Sequence, residues 1–364
     1  MTKIENYFIF SVTLITGNNV INIINKKRQH TVQKAYLDQW VIDNEFFVYD
    51  FKNKKLHPSR PKSIFREDNI YNWNAFDNEE RYIIDDLITD IENAGLPVIK
   101  KIQHSPINIE ERYSLCRYIA VQLLRTPRMK EHFDKLHLAL SENNLIKNLK
   151  DPEKRKKLSE NMSEEQQKLI RELSENPEEK VKEMNKKFIL KIKNIREIWL
   201  QGSLELLEVL ASHYFEFPWY ILKAGKERSF ITSDNPAVTI SSTKNKSLIT
   251  KDDINFSETT FPLSPKLILL IRKESKTLSG NKTYKVRTPE LPSSVRELNC
   301  RTAIFSDRYI VSSSENLLLR VAKITQGNWH NMRSNKDQYE KRSKGLIPVA
   351  DNLKSINLIN RVYE

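Results

Sequence analysis

The order of helix-like and strand-like segments along the chain constrains its fold more than any other feature. Between about Glu79 and Tyr214, apolar residues recur at spacings of three and four, the periodicity of helices that bury one face. From Ser229 onward, short runs rich in β-branched residues predict strands at 229–231, 237–241, 266–272, 283–287 and 309–313. This separation predicts an α+β protein, in which a helical N-terminal and central part packs on a C-terminal mixed or antiparallel sheet.

Proline positions set the expected limits of the helices. A first helix starts near Glu79 and should stop or bend at Pro97, because proline lacks the amide hydrogen that the helix uses. A second helix runs from about Ile109 to Arg125, and Pro127 predicts a break directly after it. A longer helix is predicted from about 183 to 214, and a final one starts near Ser314 and covers the sheet.

Shifts in composition divide the chain into four segments. Residues 1–25 are interpreted as an N-terminal extension or hairpin, and 26–143 as an α+β part that bears most motifs. Residues 144–194 are dominated by charge and predict a helical insertion or arm. Residues 195–364 supply a helix and the C-terminal sheet, and we expect them to form one domain with 26–143.

The N-terminal apolar run 7–24 contains Gly-Asn-Asn in its middle and lacks a preceding basic region. These features argue against a signal peptide or a membrane span, so a cytoplasmic protein without a membrane partner is expected.

The charge balance favours acidic partners. Lysine and arginine number 60 against 47 aspartates and glutamates, which gives a formal net charge of +13. Nucleic acid, with RNA favoured, is the partner that this charge indicates, although AT-rich coding also produces sequences rich in lysine and asparagine. Protein partners and the oligomeric state are not indicated by the sequence.

Glycine and cysteine usage narrows the class of enzyme and cofactor. With only seven glycines and no Gly-rich phosphate motif, the chain does not resemble common nucleotide hydrolases or Rossmann enzymes. Its two cysteines, Cys116 and Cys300, lie far apart and predict neither a disulfide framework nor a zinc site.

A polar stripe on the second predicted helix is the first candidate site. Tyr118, Gln122 and Arg125 fall at i, i+4 and i+7 and share a face within an apolar helix. A buried guanidinium requires a carboxylate, a phosphate or several carbonyls, and Asp234 in the turn "SDNP" is the expected carboxylate. Either an arginine pins the helices to the sheet, or Arg125, Arg128 and Asp234 line a pocket for a phosphate or polar substrate.

His30 is the second candidate, within "RQHTVQKAYL" and directly after the basic run Lys26, Lys27 and Arg28. A histidine among basic residues suits general base chemistry on a phosphodiester, although such a residue is more often an ordinary surface group. Arg125 and Arg128 also precede His132 in "RTPRMKEH", but Pro127 interrupts the helical geometry that an Arg/His pair would need.

A third candidate is rich in carboxylates. Asp85 and Glu92 are spaced at i and i+7, and Asp86 and Asp90 at i and i+4. Such carboxylates would bind Mg²⁺ with help from another element, but they more often form a solvated helix face. The cofactor is therefore unknown, and magnesium is open but not favoured.

Six blocks, taken in order, resemble the DUF4238 family of uncharacterised bacterial proteins. They are "HTVQKAYLDQW" at 30–40, "DDLITDIENAGLPVIKKI" at 85–102, "YIAVQLLRTPR" at 118–128, "FITSDNPAVTI" at 230–240, "FPLSPKLILLI" at 261–271 and "VRELN" at 295–299. The chain has Gln33 where the family often has proline, and Asp85 where it has glutamate. Residues 1–25 and much of 144–194 lie outside the resemblance.

The resemblance implies no settled reaction, cofactor or substrate. It does collect the polar members of the family's motifs, which are His30, Gln122, Arg125, Asp234, Asn235 and Asn299. We take His30, Arg125 and Asp234 as candidate catalytic residues, and Gln122, Arg128, Asn235 and Asn299 as candidate substrate-binding residues. No residue is assigned to a metal.

Three functional hypotheses follow. The leading one is an enzyme that processes nucleic acid, such as an RNase-like toxin or an anti-phage defence effector. The alternative is a non-catalytic module that binds nucleic acid or protein through segment 144–194, with a structural Arg/Asp cluster. A Mg²⁺-dependent hydrolase that uses Glu92 and Asp234 is the third.

Overall fold

The structure is a computed structural model that describes residues 28–72, 82–160, 162–187, 195–240, 249–250, 253–254, 258–272, 284–287 and 292–334. It confirms the α+β class, since helices and largely antiparallel sheets are both present. The extension or hairpin expected at residues 1–25 lies outside the described residues.

The helices occupy mainly the middle of the chain. They are α1 (Lys34–Leu37), α2 (Ile83–Lys101), α3 (Ile109–Leu124), α4 (Pro127–Lys150), α5 (Pro152–Ser159), α6 (Glu164–Glu175), α7 (Pro177–Lys187), α8 (Ile195–Glu216), α9 (Pro292–Phe305) and α10 (Glu315–Ser334). Short 3₁₀ turns lie at Asp38–Trp40 and Pro61–Ser63. Helix α3 packs extensively against both α2 and α8, so it is the central helix of this part. Among the described helices, none combines the length and the apolar character that crossing a membrane requires.

The strands come from both ends of the described chain. They are β1 (Arg28–His30), β2 (Phe46–Asp50), β3 (Lys55–Ser59), β4 (Arg66–Asp68), β5 (Trp219–Lys223), β6 (Thr232–Ser233), β7 (Val238–Ile240), β8 (Ile249–Thr250), β9 (Asp253–Ile254), β10 (Glu258–Ser264), β11 (Leu267–Arg272), β12 (Tyr284–Arg287) and β13 (Tyr309–Ser312).

Two larger sheets result. The five-stranded sheet has the order β12-β5-β11-β10-β7 and is antiparallel except for the β12–β5 pair. This is the C-terminal mixed sheet that the sequence predicted. The four-stranded antiparallel sheet has the order β3-β2-β13-β6 and combines strands from the two ends of the chain, which was not predicted. Strands β1 and β4 form a separate antiparallel pair, as do β8 and β9.

Alternation along the strands of the five-stranded sheet provides two apolar faces. Ile221, Leu269 and Phe261 belong to the main core, which the helices α1, α3 and α8 share. Their neighbours Leu222 and Leu270 point to the opposite face, where residues of α9 cover them. A helical layer on each side therefore buries this sheet, because successive strand residues face opposite ways.

The predicted helix limits were right at α3, whereas α2 does not stop at Pro97. Helix α3 begins with a capping box, in which Asn108 and Glu111 exchange side-chain-to-backbone hydrogen bonds, and α4 starts at Pro127, directly after the expected break. Pro97, by contrast, lies inside α2, which continues to Lys101. Pro97 is exposed and falls within the last turn and a half, so its missing N–H interrupts the helix little.

The strand expected at 229–231 was also wrong. The Phe230 amide donates to the Pro265 carbonyl, and the Ile231 amide donates to Oδ1 of Asn299, so neither belongs to a ladder. Strand β6 begins one residue later, at Thr232. The apolar pair is buried as predicted, but its backbone is held by a loop and a side chain.

The charged segment contains α5, α6 and α7, as a helical arm requires. These helices and the end of α4 enclose a small core of Leu149, Ile170, Leu173 and Val181. The predicted helix from 183 to 214 is represented by the end of α7 and by α8, and residues 188–194 between them lie outside the described residues.

Candidate functional site

The polar stripe of α3 is buried as the sequence indicated. Tyr118 and Gln122 are fully buried, and Arg125 is 3% exposed. Arg125 caps the C-terminus of α3, directly before Thr126 caps the N-terminus of α4 through a hydrogen bond from the Met129 amide. The break that Pro127 imposes therefore places the guanidinium at a helix end, beside both α2 and the N-terminal strands.

Glu92 of α2 is the ionic partner of Arg125. Nη1 of Arg125 lies 2.5 Å from Oε1 of Glu92, and both side chains are largely removed from solvent. Burial raises the pKa of Glu92, while the adjacent Arg125 guanidinium opposes this effect. The prediction that Arg125 has a carboxylate partner is confirmed, but the prediction that Asp234 is this partner was wrong.

One edge of the Arg125 guanidinium has no partner. Nε and Nη2 are buried and make no hydrogen bond. These two nitrogens form the side of a guanidinium that binds two oxygens of a carboxylate or phosphate at once. One turn away, Oε1 and Nε2 of Gln122 are also buried without a hydrogen-bond partner, although the amide lies beside the Tyr118 hydroxyl. Buried polar atoms without partners are rare in folded proteins, so this group requires an explanation.

His30 lies at the end of β1 and close to Arg125. Its ring is half-buried, and Nδ1 is a further buried atom without a hydrogen-bond partner. The backbone around it is fixed: Tyr71 donates its hydroxyl to the His30 carbonyl over 3.1 Å, and Gln29 accepts from the Tyr71 amide over 2.8 Å. Burial, followed by the positive charges of Arg66, Arg125 and Lys34, lowers the pKa of His30 to about 4. The imidazole is therefore neutral at pH 7, in the form that accepts a proton, but the lowered pKa makes it a weaker base than an ordinary histidine.

Tyr118 links this cluster to the N-terminal motif. Its hydroxyl donates to Oε1 of Gln33 over 2.8 Å, at the start of α1. At this position, the family that the sequence resembles often has proline instead of Gln33. Sequence reasoning did not identify Gln33 or Tyr71 as members of the site, and no pattern marked them. From the sequence, Glu92 was considered only as a metal ligand, although its spacing from Asp85 did indicate that the two carboxylates share one face of a helix.

We call the group His30, Tyr71, Glu92, Tyr118, Gln122 and Arg125 the histidine–arginine cluster. It joins α2, α3 and the loop after β4 to strand β1. Beside it, an apolar cleft of about 30 Å³ lies between α2, α3 and α8, with Arg125 and Ser203 in its wall. The exposed cations Lys34 and Arg66 lie near the half-buried His30 ring.

Asp234 has different partners. Its Oδ1 accepts from the Asp307 amide over 2.7 Å, and its Oδ2 accepts from the amides of Arg308 and Tyr309 over 2.6 and 2.8 Å. Burial and the neighbouring Asp307 carboxylate raise the pKa of Asp234 to about 7, against the three amide donors. These bonds stabilise the turn between α9 and β13, so Asp234 has a structural role.

The two predicted asparagines also bind backbone. Asn299 accepts from the Ile231 amide and donates to the Ser229 carbonyl over 2.9 Å. Asn235 donates to the Phe305 carbonyl over 3.0 Å, and its Oδ1 is buried without a partner. They connect the "SDNP" turn and the segment before it to α9.

Arg128 belongs to the same structural group in the contacts that the structure shows. It donates to the Phe305 carbonyl over 3.2 Å, and its guanidinium carbon lies 5.2 Å from the centre of the Phe305 ring. Of the seven predicted site residues, the structure therefore brings His30, Gln122 and Arg125 together, and it gives the other four partners at the α9 end.

The geometry of the described residues does not favour the hypothesis that acidic residues of α2 bind Mg²⁺. Within the described ranges, no group of three or more His, Cys, Asp or Glu side chains is arranged to hold a metal ion. Glu92 is paired with Arg125, and the exposed Asp90 lies outside that pair. Asp85 lies near Glu92 and Asp307 lies near Asp234, but among the described residues neither pair has the third ligand that a metal site would need.

Comparison with known proteins identifies the family. The model of DUF4238, described as a protein of unknown function, matches residues 28–316. Neither a search of curated proteins nor a search of solved structures found a match. The match includes every block on which the resemblance rested and all members of the histidine–arginine cluster. The chain therefore belongs to the DUF4238 family.

Proposed function

We propose that the protein is an enzyme that processes nucleic acid, with RNA favoured, and that the histidine–arginine cluster is its active site. One observation carries this proposal: the polar atoms of His30, Gln122 and Arg125 are buried together without hydrogen-bond partners. Asp234 provides a contrast, because its carboxylate oxygens accept three amide hydrogen bonds. Asn235 and Arg301 also have buried polar atoms without hydrogen-bond partners, but the cluster combines such atoms from three neighbouring residues. A site that exchanges ligands leaves them free for the substrate.

The chemistry of the cluster suits a phosphate-bearing substrate. The neutral His30 imidazole takes the proton of a ribose 2′-hydroxyl, whose oxygen attacks the adjacent phosphodiester. The bond from phosphorus to the 5′-oxygen of the next nucleotide breaks, and that oxygen leaves with a proton from His30 or from water. The free edge of Arg125 binds oxygens of a phosphate of the strand. Glu92 fixes the guanidinium through Nη1 and leaves Nε and Nη2 for the ligand. RNA is favoured because its ribose carries a hydroxyl that a neutral histidine can activate, and because the chain has a net charge of +13.

The alternative, a binding module that uses the charged arm, has weaker support. Some basic side chains of the arm pair within it, since Lys150 pairs with Glu178 and Lys180 pairs with Glu175. Such an arm presents both signs of charge rather than a basic surface. The alternative stays open to test through the salt dependence of RNA binding.

The test compares full-length wild type with His30→Ala and Arg125→Lys. Each protein is incubated with total tRNA, structured RNA and single-stranded DNA, with and without Mg²⁺, and new ends are mapped by sequencing. Wild type should produce discrete new ends in RNA. Both variants should lose about 100-fold or more in rate while keeping the far-UV circular dichroism of wild type.

Two matched controls separate chemistry from stability. His57 is an exposed histidine of β3, and His57→Ala should process RNA like wild type. Arg112 is a buried arginine that binds the carbonyls of Phe215 and Phe217, so Arg112→Lys reports what a destabilised fold alone does to the rate. Absence of new ends with wild type, together with salt-sensitive RNA binding in all proteins, would instead support the binding module.

The biological setting expected from the sequence, a toxin or an anti-phage defence effector, is part of the same proposal. Expression of wild type in a bacterial host should arrest growth, and His30→Ala should relieve the arrest at an equal protein level. Equal toxicity of the two proteins would contradict this setting.

A further inference from the structure

We propose that the histidine–arginine cluster binds the terminal phosphate of an RNA strand, so that the enzyme recognises a phosphorylated end and not a site within the chain. This inference rests on the proposed function and specifies its substrate. It is carried by the depth of the unpaired donors and by their number, and it agrees with the small free volume beside Arg125.

The unpaired donors lie deep below the surface. Gln122 is fully buried and Arg125 is 3% exposed, whereas the His30 ring is half-buried and lies near the exposed Lys34 and Arg66. His30 is therefore more accessible than the guanidinium and lies nearer to exposed side chains. A phosphate within a strand would have to carry a nucleoside on each side to that depth, but a terminal phosphate carries only one.

The donors also match the acceptors of a terminal phosphate. Nε and Nη2 of Arg125 and Nε2 of Gln122 offer N–H groups, and Nδ1 of His30 adds one in the tautomer that is protonated there. A phosphate monoester presents three strong acceptor oxygens and a charge of about −1.5 to −2 at pH 7. An internal phosphodiester presents two unbridged oxygens and one charge, which would leave more of these donors unpaired.

The free space near Arg125 is small. The cleft in whose wall Arg125 lies has a volume of about 30 Å³, and its other wall residues are mainly apolar side chains such as Leu124 and Trp199. This volume holds about two water molecules and therefore excludes a nucleobase. Neither His30 nor Gln122 lines the cleft, so the phosphate would bind at the free edge of Arg125 and not within the cleft. The nucleoside that bears the phosphate would remain at the surface beside His30, near the exposed Lys34 and Arg66.

The test uses one short RNA sequence in four forms: with a 5′-phosphate, with a 3′-phosphate, with hydroxyl groups at both ends, and circular. Affinity for full-length wild type is measured by fluorescence anisotropy at one salt concentration, and processing is followed on gels. One phosphorylated form should bind at least about tenfold more tightly than the hydroxyl and circular forms, as expected for a charge-assisted bidentate contact.

Two variants assign this preference to the cluster. Arg125→Lys keeps the positive charge beside Glu92 and removes the bidentate edge, so the preference should disappear. Gln122→Met replaces two unsatisfied polar atoms by an apolar side chain of similar size, so it should fold at least as well as wild type. It should nevertheless reduce the preference for the phosphorylated end, whereas Arg112→Lys should not.

The outcomes separate this inference from the proposed function. Processing of the circular form at the same rate as the phosphorylated form would overturn end recognition while leaving the proposed nuclease intact. Equal affinity of wild type and Gln122→Met for all four forms would also overturn it. Absence of both binding and processing with every RNA would overturn the proposed function, and this inference with it.

Discussion

At the scale of single residues, the hydrogen-bond partners of a buried polar group indicate whether it has a structural or a functional role. Asp234 and Arg125 were predicted as partners in one site, yet Asp234 holds three backbone amides and Arg125 pairs with Glu92. The sequence could indicate that both residues are buried and paired, because charged residues in apolar surroundings need partners. It could not identify the partner, since the distance between two helices and a turn depends on contacts far apart in the chain.

Removal of the Asp234 carboxylate should destabilise the fold more than it affects the chemistry. In Asp234→Ala, the amides of Asp307, Arg308 and Tyr309 lose their buried acceptor, at a cost of about 2–4 kcal/mol in the free energy of unfolding. Urea unfolding measures this loss, and RNA processing by the folded protein at low temperature should persist. The exposed Asp90 provides a control, because Asp90→Ala should change stability by less than about 0.5 kcal/mol. Loss of processing at unchanged stability would return Asp234 to the catalytic residues.

His30 should make stability depend on pH between about 4 and 6.5. Its pKa is about 4 in the folded protein and near the ordinary 6.5 in the unfolded chain, so the unfolded state binds more protons in this interval. The contribution of His30 is therefore complete above pH 6.5 and is lost as the pH falls toward 4. The free energy of unfolding at pH 7 minus that at pH 5 should be smaller in His30→Gln than in wild type. The exposed His57 is the control, since His57→Gln should leave this difference unchanged.

At the scale of secondary structure, local signals fix the limits of α3, which were predicted, and the start of α4, which was not. The Asn108–Glu111 capping box and the Thr126-Pro127 start of α4 are visible in the sequence, although they were not used to predict these limits. The strand at 229–231 failed because Ile231 binds the side chain of Asn299, a residue 68 positions away. Likewise, the pairing of Glu92 with Arg125 depends on how closely α2 approaches α3.

Gly95 sets this close approach. A Cβ atom at position 95 of α2 would lie 2.5 Å from Cβ of Tyr118 on α3, and 2.8 Å from the nearest ring carbons. Alanine normally favours a helix over glycine by about 1 kcal/mol, but here the two helices would have to separate. Gly95→Ala should therefore lower the free energy of unfolding by about 1–3 kcal/mol, as measured in urea. Because Tyr118 belongs to the histidine–arginine cluster, the same variant should weaken the binding of phosphorylated RNA.

A matched glycine tests this explanation. Gly225 lies in the loop after β5, and a Cβ atom there would meet nothing within 4 Å. Gly225→Ala should thus leave stability within about 0.5 kcal/mol of wild type and keep RNA binding. If Gly95→Ala were as stable as Gly225→Ala, the close packing of α2 on α3 would not determine the geometry of the cluster.

At the scale of the whole molecule, the connection between the two ends of the chain was the least predictable feature. The strand that became β13 was predicted from the sequence, but its pairing with β2 joins Tyr309 to Asp50 across the intervening helices and sheet. The order of strands in a sheet depends on which strand edges remain unpaired once the rest of the chain has folded. A hydrophobic pattern shows which face of a strand is buried, but not which strand lies next to it. The expectation of a purely C-terminal sheet therefore missed the four-stranded sheet.

Asp50 and Arg308 reinforce this connection. Nε and Nη2 of Arg308 donate to the two carboxylate oxygens of Asp50 over 2.9 and 2.6 Å, and the amides of Lys52 and Asn53 also donate to Asp50. Burial alone would raise the pKa of Asp50, but these hydrogen bonds lower it below its ordinary value. Arg308 follows Asp307 in the turn that Asp234 holds, so this contact joins the N-terminal hairpin to the α9 end.

Loss of the Asp50 carboxylate should therefore destabilise both parts together. Asp50→Ala should lower the free energy of unfolding by about 1–3 kcal/mol, because charge-assisted hydrogen bonds are lost while the half-exposed Arg308 can be solvated. Three of the five tryptophans that contribute to the fluorescence, Trp40, Trp199 and Trp219, lie in the shared core, and far-UV circular dichroism reports the helices. Their urea transitions should coincide in wild type and shift together in the variant. The exposed Glu45, 3.7 Å from Arg60, is the control, and Glu45→Ala should change stability by less than about 0.5 kcal/mol. Two separate transitions, of which only one shifts, would show that the β2–β13 connection does not make the folding of the two parts cooperative.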